Sequence, residues 1–131
     1  MNEFQLISLI QNSIIPDAVK LDTYHQADIY SERYNLYGEL KCLTKHHSNI
    51  MLEKNKYDEL LPLSKARYIV STPKGVWSWQ VSKLKNLKWQ EIYLENYSTH
   101  FHREATDGKK ICCFIPIKDA KNITELINYP V

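Results

Sequence analysis

Phe4, Ile7, Ile10 and Ile14 recur at helical spacing and predict an amphipathic helix over residues 3–14, stopped by Pro16. Val19 and Leu21 point the same way along a short predicted strand at 18–24. Two further runs, 28–34 and 36–44, read as a hairpin turning at Arg33-Tyr34-Asn35. In its second arm Leu36, Gly38, Leu40 and Cys42 alternate with Tyr37, Glu39, Lys41 and Leu43, so the two sets face opposite sides of a sheet.

Residues 45–48 form a polar loop, and Ser48 or Asn49 is the expected cap of a helix over 52–61 that Pro62 ends. Runs at 66–72 and 76–81 flank Pro73-Lys74-Gly75 as a second strand-turn-strand unit. Strands are expected at 90–94 and 110–117, and Asp119 is a plausible N-cap for a last helix to residue 127. The order helix, three strands, helix, several strands, helix predicts an α/β domain with a mixed sheet. With 131 residues and no repeat or linker, residues 1–131 are expected to form one domain with one real core.

Composition narrows the class. Hydrophobic residues are 44% and charged residues 24%, which is ordinary for a globular chain. No apolar run approaches a membrane span, and Met1-Asn2-Glu3 does not open a signal peptide, so a cytoplasmic protein without membrane contact is expected. Cys42 stands alone and Cys112 and Cys113 are adjacent, an odd set with neither disulfide nor zinc-finger spacing. The net charge is only +2, yet residues 60–90 hold no acid while carrying Lys65, Arg67, Lys74, Lys83, Lys85 and Lys88. Such a stretch can follow phosphates, or simply be a solvated surface.

The pattern that carries chemistry is Glu39-Leu40-Lys41. Residues i and i+2 of a strand share a face, so a carboxylate and an ammonium stand side by side on a rigid element. Asp28 lies on the partner arm of the hairpin, with ten residues between it and Glu39, and can approach Glu39 across the sheet. Two converging carboxylates suit a hard divalent cation, Mg²⁺ or Mn²⁺, that keeps several waters. Asp28, Glu39 and the Leu40 carbonyl are the candidate metal ligands. Asp28, Glu39 and Lys41 are the candidate catalytic residues, with Lys41 orienting water or stabilising charge on a phosphate. The plainer alternative is a solvated Glu39–Lys41 pair. Asp119-Ala120-Lys121 repeats the acid-x-Lys triplet at a predicted helix start, where i and i+2 do not share a face, and Asp107-Gly108-Lys109 repeats it in a predicted turn.

Asp28, ten residues, then Glu39-Leu40-Lys41 resembles the motif of the PD-(D/E)xK nuclease superfamily, the restriction-endonuclease-like proteins. The helix carrying Lys56-Tyr57-Asp58-Glu59-Leu60, the Gly75-Val76-Trp77 hairpin and the strand after Lys109-Lys110-Ile111 are similar to small phage and mobile-element members. Ala27 stands where such motifs commonly have Pro. The resemblance implies a mixed central sheet flanked by helices and metal-dependent hydrolysis of DNA phosphodiesters by an endonuclease or resolvase-like enzyme. It also implies phosphate contacts from Lys54 and Lys56, and a further acid from Glu3.

Other residues keep two readings. His46, near Lys41 in sequence, is a candidate substrate contact or part of a polar loop; Gln26 is a candidate contact to metal-bound water or a turn residue. His100 and His102 could chelate zinc but lack a third ligand. Trp77, Trp79 and Trp89 either stack on unpaired bases or pack in the core. A domain this small covers little DNA, so a homodimer or a larger complex is expected. The rival function is a nuclease-fold protein that no longer cuts and binds nucleic acid or a protein partner, as a phage accessory or anti-defence factor would.

Overall fold

A computed structural model describes residues 1–93 and 109–130. Helix α1 (Glu3–Gln11) is closed by a reciprocal capping box between Asn2 and Gln5, each side chain taking the other's backbone N–H. It buries Leu6, Ile7 and Ile10. The strands that follow are β1 (Val19–Lys20), β2 (Ile29–Ser31) and β3 (Leu36–Cys42). Next come β4 (Asn49–Glu53), helix α2 (Lys54–Leu60), β5 (Arg67–Thr72), β6 (Gly75–Gln80), β7 (Gln90–Tyr93), β8 (Lys109–Pro116) and β9 (Lys121–Asn122).

The central sheet has the order β1-β2-β3-β5-β6-β9. Its one parallel contact is β3 beside β5, with Glu39 opposite Tyr68 and Lys41 opposite Val70; the other pairs are antiparallel. The expected mixed α/β sheet is therefore present. One face packs Leu40, Ile69 and Val76 against α1 together with Ile123 and Ile127. The other packs Tyr68, Val70, Trp77 and Trp79 against Ile50, Leu52, Leu60, Cys113 and Ile115. These last residues come from α2 and from a second sheet, β4-β8-β7. Trp77 and Trp79 are 8% and 2% exposed, which decides for core over base stacking.

Three expectations change. Residues 49–53 are a strand, and α2 begins only at Lys54 and runs seven residues. Ile50 and Leu52 alternate inward and pair with Ile115 and Cys113 of β8, so period two prevails there over the helical reading. The predicted last helix is replaced by a 3₁₀ turn (Ile117–Asp119), strand β9 and a run of turns. There the edge of β6 captures the backbone through Ile123 N–H to Val76 C=O, and the Asn122 side chain accepts from the Thr124 N–H and hydroxyl. The first strand shrinks to Val19–Lys20, because the Asp22 side chain accepts the Tyr24 N–H and turns the chain.

No helix among the described residues is long and apolar enough to cross a membrane. The three cysteines are free. His100 and His102 lie outside the described residues, as do Asp107 and Gly108.

Candidate active site

The hairpin forms as expected: residues 32–35 turn, Asn35 takes a left-handed φ of 49°, and β2 pairs with β3 from Ile29 opposite Gly38 to Ser31 opposite Leu36. Gly38 permits this contact, since a Cβ there would meet Ile29 Cγ1 at 2.8 Å. Asp28 sits just before β2. Its N–H donates to Gly38 C=O at 2.9 Å, its C=O accepts from Leu21 N–H at 2.8 Å, and its Oδ2 accepts from Leu40 N–H at 2.8 Å. The loop leading to it is braced by His25, whose Nδ1 accepts the Ala27 N–H at 3.0 Å and whose ring stacks on Tyr37 at 5.5 Å. A backbone amide thus fixes one Asp28 oxygen at the edge of β3.

Because Leu40 and Gly38 are buried on the α1 face, the alternation of β3 turns Glu39 and Lys41 to the opposite face, under α2 and β4. Glu39 and Asp28 lie close enough for the Asp28 charge to disfavour ionisation of Glu39. Burial first, and the Asp28 charge second, push Glu39 up to about 8; Lys56 opposes the shift. Burial also raises Glu3, with Asp28 again the second cause, so α1 brings a third acid within electrostatic reach. Among the described residues, however, no three His, Cys, Asp or Glu side chains gather as a metal cluster.

Lys41 is half-buried, and desolvation lowers its pKa against the opposing charges of Glu53 and Glu39. Lys56 reaches back from α2: its Nζ lies 3.5 Å from Glu39 Oε2 and 3.4 Å from Glu59 Oε2. Burial pulls Lys56 down, but Glu39 and Glu59 together hold it above the ordinary lysine value. The other two candidate substrate contacts lie apart from the acids. Lys54 pairs with Asp58 at 3.2 Å and lies 5.3 Å from the Trp89 ring centre. His46 joins the β5–β6 turn, with Nδ1 2.8 Å from Thr72 Oγ1 and its ring 5.1 Å from that of Trp77. Gln26 is exposed.

Sequence reasoning missed Glu53 and Lys110. Glu53 ends β4 beside Lys41's charge, and its Oε2 is 3.7 Å from Lys110 Nζ on β8. Reading Ile50-Met51-Leu52-Glu53 as alternating would have found the strand and put Glu53 at its end.

The donor set suits a divalent cation. A facing carboxyl pair offers oxygen ligands to a hard ion, and N–H and C=O of one strand residue point to the same edge. The Leu40 carbonyl therefore points toward the side of β3 where its own N–H meets Asp28. Two carboxylates and one carbonyl leave positions for water, as Mg²⁺ prefers.

No family model matches the chain, and no curated protein matches its sequence. Among solved structures it is similar to Hjc, a Holliday junction resolvase from the archaeal hyperthermophile Archaeoglobus fulgidus. The TM-score is 0.56 at 13% identity, over 95% of this chain and 96% of that one. The chain shares the fold of that resolvase. The likeness spans nearly the whole length, so the mixed α/β architecture expected from the sequence is the architecture of this protein. At that identity the likeness concerns the fold, and the site rests on the residues above.

Proposed function

We propose that this protein is a metal-dependent DNA endonuclease of resolvase-like type. The observation that supports it best is the carboxyl pair Asp28–Glu39, electrostatically coupled on the hairpin with Lys41 two residues along the same strand face. Asp28, Glu39 and the Leu40 carbonyl would hold Mg²⁺ or Mn²⁺. Such an ion supplies charge neutralisation at the scissile phosphate and a lowered pKa for water.

The chain's own residues do the rest. The Leu40 amide keeps Asp28 in register. Glu39, whose pKa is raised, must be ionised to serve as a ligand. Lys41 presents Nζ from a partly desolvated surround, where an ammonium stabilises developing phosphate charge more strongly than in water. Lys56 is the substrate-binding lysine best placed to reach a phosphate at the pair, with Lys54 and His46 serving DNA farther out. A chain of this size acting on both strands is expected to work as a homodimer or within a larger complex.

The test is cleavage of supercoiled, linear and four-way-junction DNA with Mg²⁺ or Mn²⁺, comparing wild type with Glu39→Ala and Lys41→Ala. Cleavage by wild type, lost in both variants, is the expected result. Cleavage that survives both variants would sink the assignment. No cleavage by any of them would favour a nuclease-fold protein that binds nucleic acid or a partner without cutting.

A further inference from the structure

On the α1 face of the central sheet, away from the carboxyl pair, lies a cavity of about 350 Å³. Its floor includes the buried side chains of Ile15, Ile69 and Ile123. Lys65, Arg67 and Lys121 also line it, and no Asp or Glu does. Arg67 is half-buried and donates from Nε to Ser78 Oγ at 2.6 Å and from Nη2 to Ser78 C=O at 3.4 Å. Among the described residues these are two of the five N–H bonds a guanidinium offers. No described carboxylate lies within ion-pair distance of Arg67, Lys65 or Lys121.

A cation drawn out of water without a counter-charge is costly, and Arg67 shows that cost as a pKa lowered by burial. Ser78 occupies the side-on edge of the guanidinium, which leaves the end-on edge, Nη1 with Nη2, as the natural seat of a planar anion. The volume is in the range of small-molecule sites, and the lining has their usual form of an apolar floor with a few polar groups.

We propose that this cavity binds a small organic anion with an apolar body, its carboxylate on the end-on edge of Arg67 and its hydrocarbon on the isoleucine floor. Lys65 and Lys121, both exposed, supply the positive rim that draws the anion in. The site is independent of nuclease activity, since it uses the opposite face of the sheet.

The experiment is titration of the folded protein with octanoate, below its micelle concentration, followed by backbone amide NMR. Octanol and octyltrimethylammonium serve as uncharged and cationic controls. Octanoate should move amides around residues 14–15, 65–69 and 121–126 and bind at least about tenfold more tightly than either control. Lys65→Glu combined with Lys121→Glu should weaken octanoate by about tenfold and leave octanol unchanged. Equal binding of octanoate and octanol, shifts elsewhere on the protein, or no octanoate binding would each overturn the proposal.

Discussion

The Leu40 amide donates to Asp28 Oδ2 at 2.8 Å, joining residues twelve apart across the open end of the β2–β3 hairpin. One side chain is both an anchor of strand β3 and half of the carboxyl pair, so the two roles can be separated by substitution. Asp28→Asn keeps a carbonyl oxygen for the Leu40 N–H and should cost under about 1 kcal/mol in urea unfolding. Asp28→Ala leaves that amide unpaired and should cost about 1–3 kcal/mol. Both should abolish Mn²⁺ binding in titration calorimetry, and unchanged binding in Asp28→Asn would remove Asp28 from the ligand set.

Glu39 makes the protein's stability depend on pH. In the unfolded chain it loses its proton near its ordinary 4.5, whereas in the fold it keeps it up to about 8. Between those values the folded state binds the extra proton, so stability falls as pH rises and levels off above about 8. The full span is at most about 5 kcal/mol. Melting curves of Glu39→Gln should lose that slope, and saturating Mg²⁺ should raise the wild-type melting temperature more at pH 8 than at pH 5. A wild-type slope identical to that of Glu39→Gln would contradict the raised proton affinity of Glu39.

The Glu53–Lys110 pair is 3.7 Å apart, with side chains only 19% and 9% exposed. Glu53 also faces the Lys41 charge, so Glu53→Leu removes a counter-charge from two lysines and should destabilise by about 3–5 kcal/mol, more than Lys110→Met, which leaves Glu53 beside Lys41. The double variant should recover much of that loss. Additive losses in the double-mutant cycle would show that the two groups do not depend on one another.

Gly38 is the hinge of the hairpin contact. A methyl group there would press on Ile29 Cγ1, so Gly38→Ala should destabilise by about 1–3 kcal/mol, read as a lower midpoint in urea. Cleavage per folded molecule should fall as well, because β2 carries Asp28 at its start. A neutral Gly38→Ala would mean that β2 is held mainly by β1.

Much of the site was legible in local pattern. The alternation through Leu36-Tyr37-Gly38-Glu39-Leu40-Lys41 puts Glu39 and Lys41 on one face whatever the tertiary arrangement, and the Arg33-Tyr34-Asn35 turn brings Asp28 back beside them. Short-range geometry suffices there, because a strand's period of two and a hairpin's register do not depend on distant partners. The capping box that starts α1 is equally local.

What the chain could not declare by itself depends on long-range contact. Residues 49–53 pair with β8 some sixty positions away, and only that pairing turns a helical-looking run into a strand ending at Glu53. The last helix fails because β6 offers an edge to β9, a competitor invisible in residues 119–127 alone. The elevated proton affinity of Glu39, the reach of Lys56 and the placement of Glu53 near Lys41 arise from burial between two layers. Sequence by itself determined which side chains share the strand face. Tertiary structure decided how dry that face is and which charges meet there, because desolvation and Coulomb interaction depend on distance in space and not along the chain.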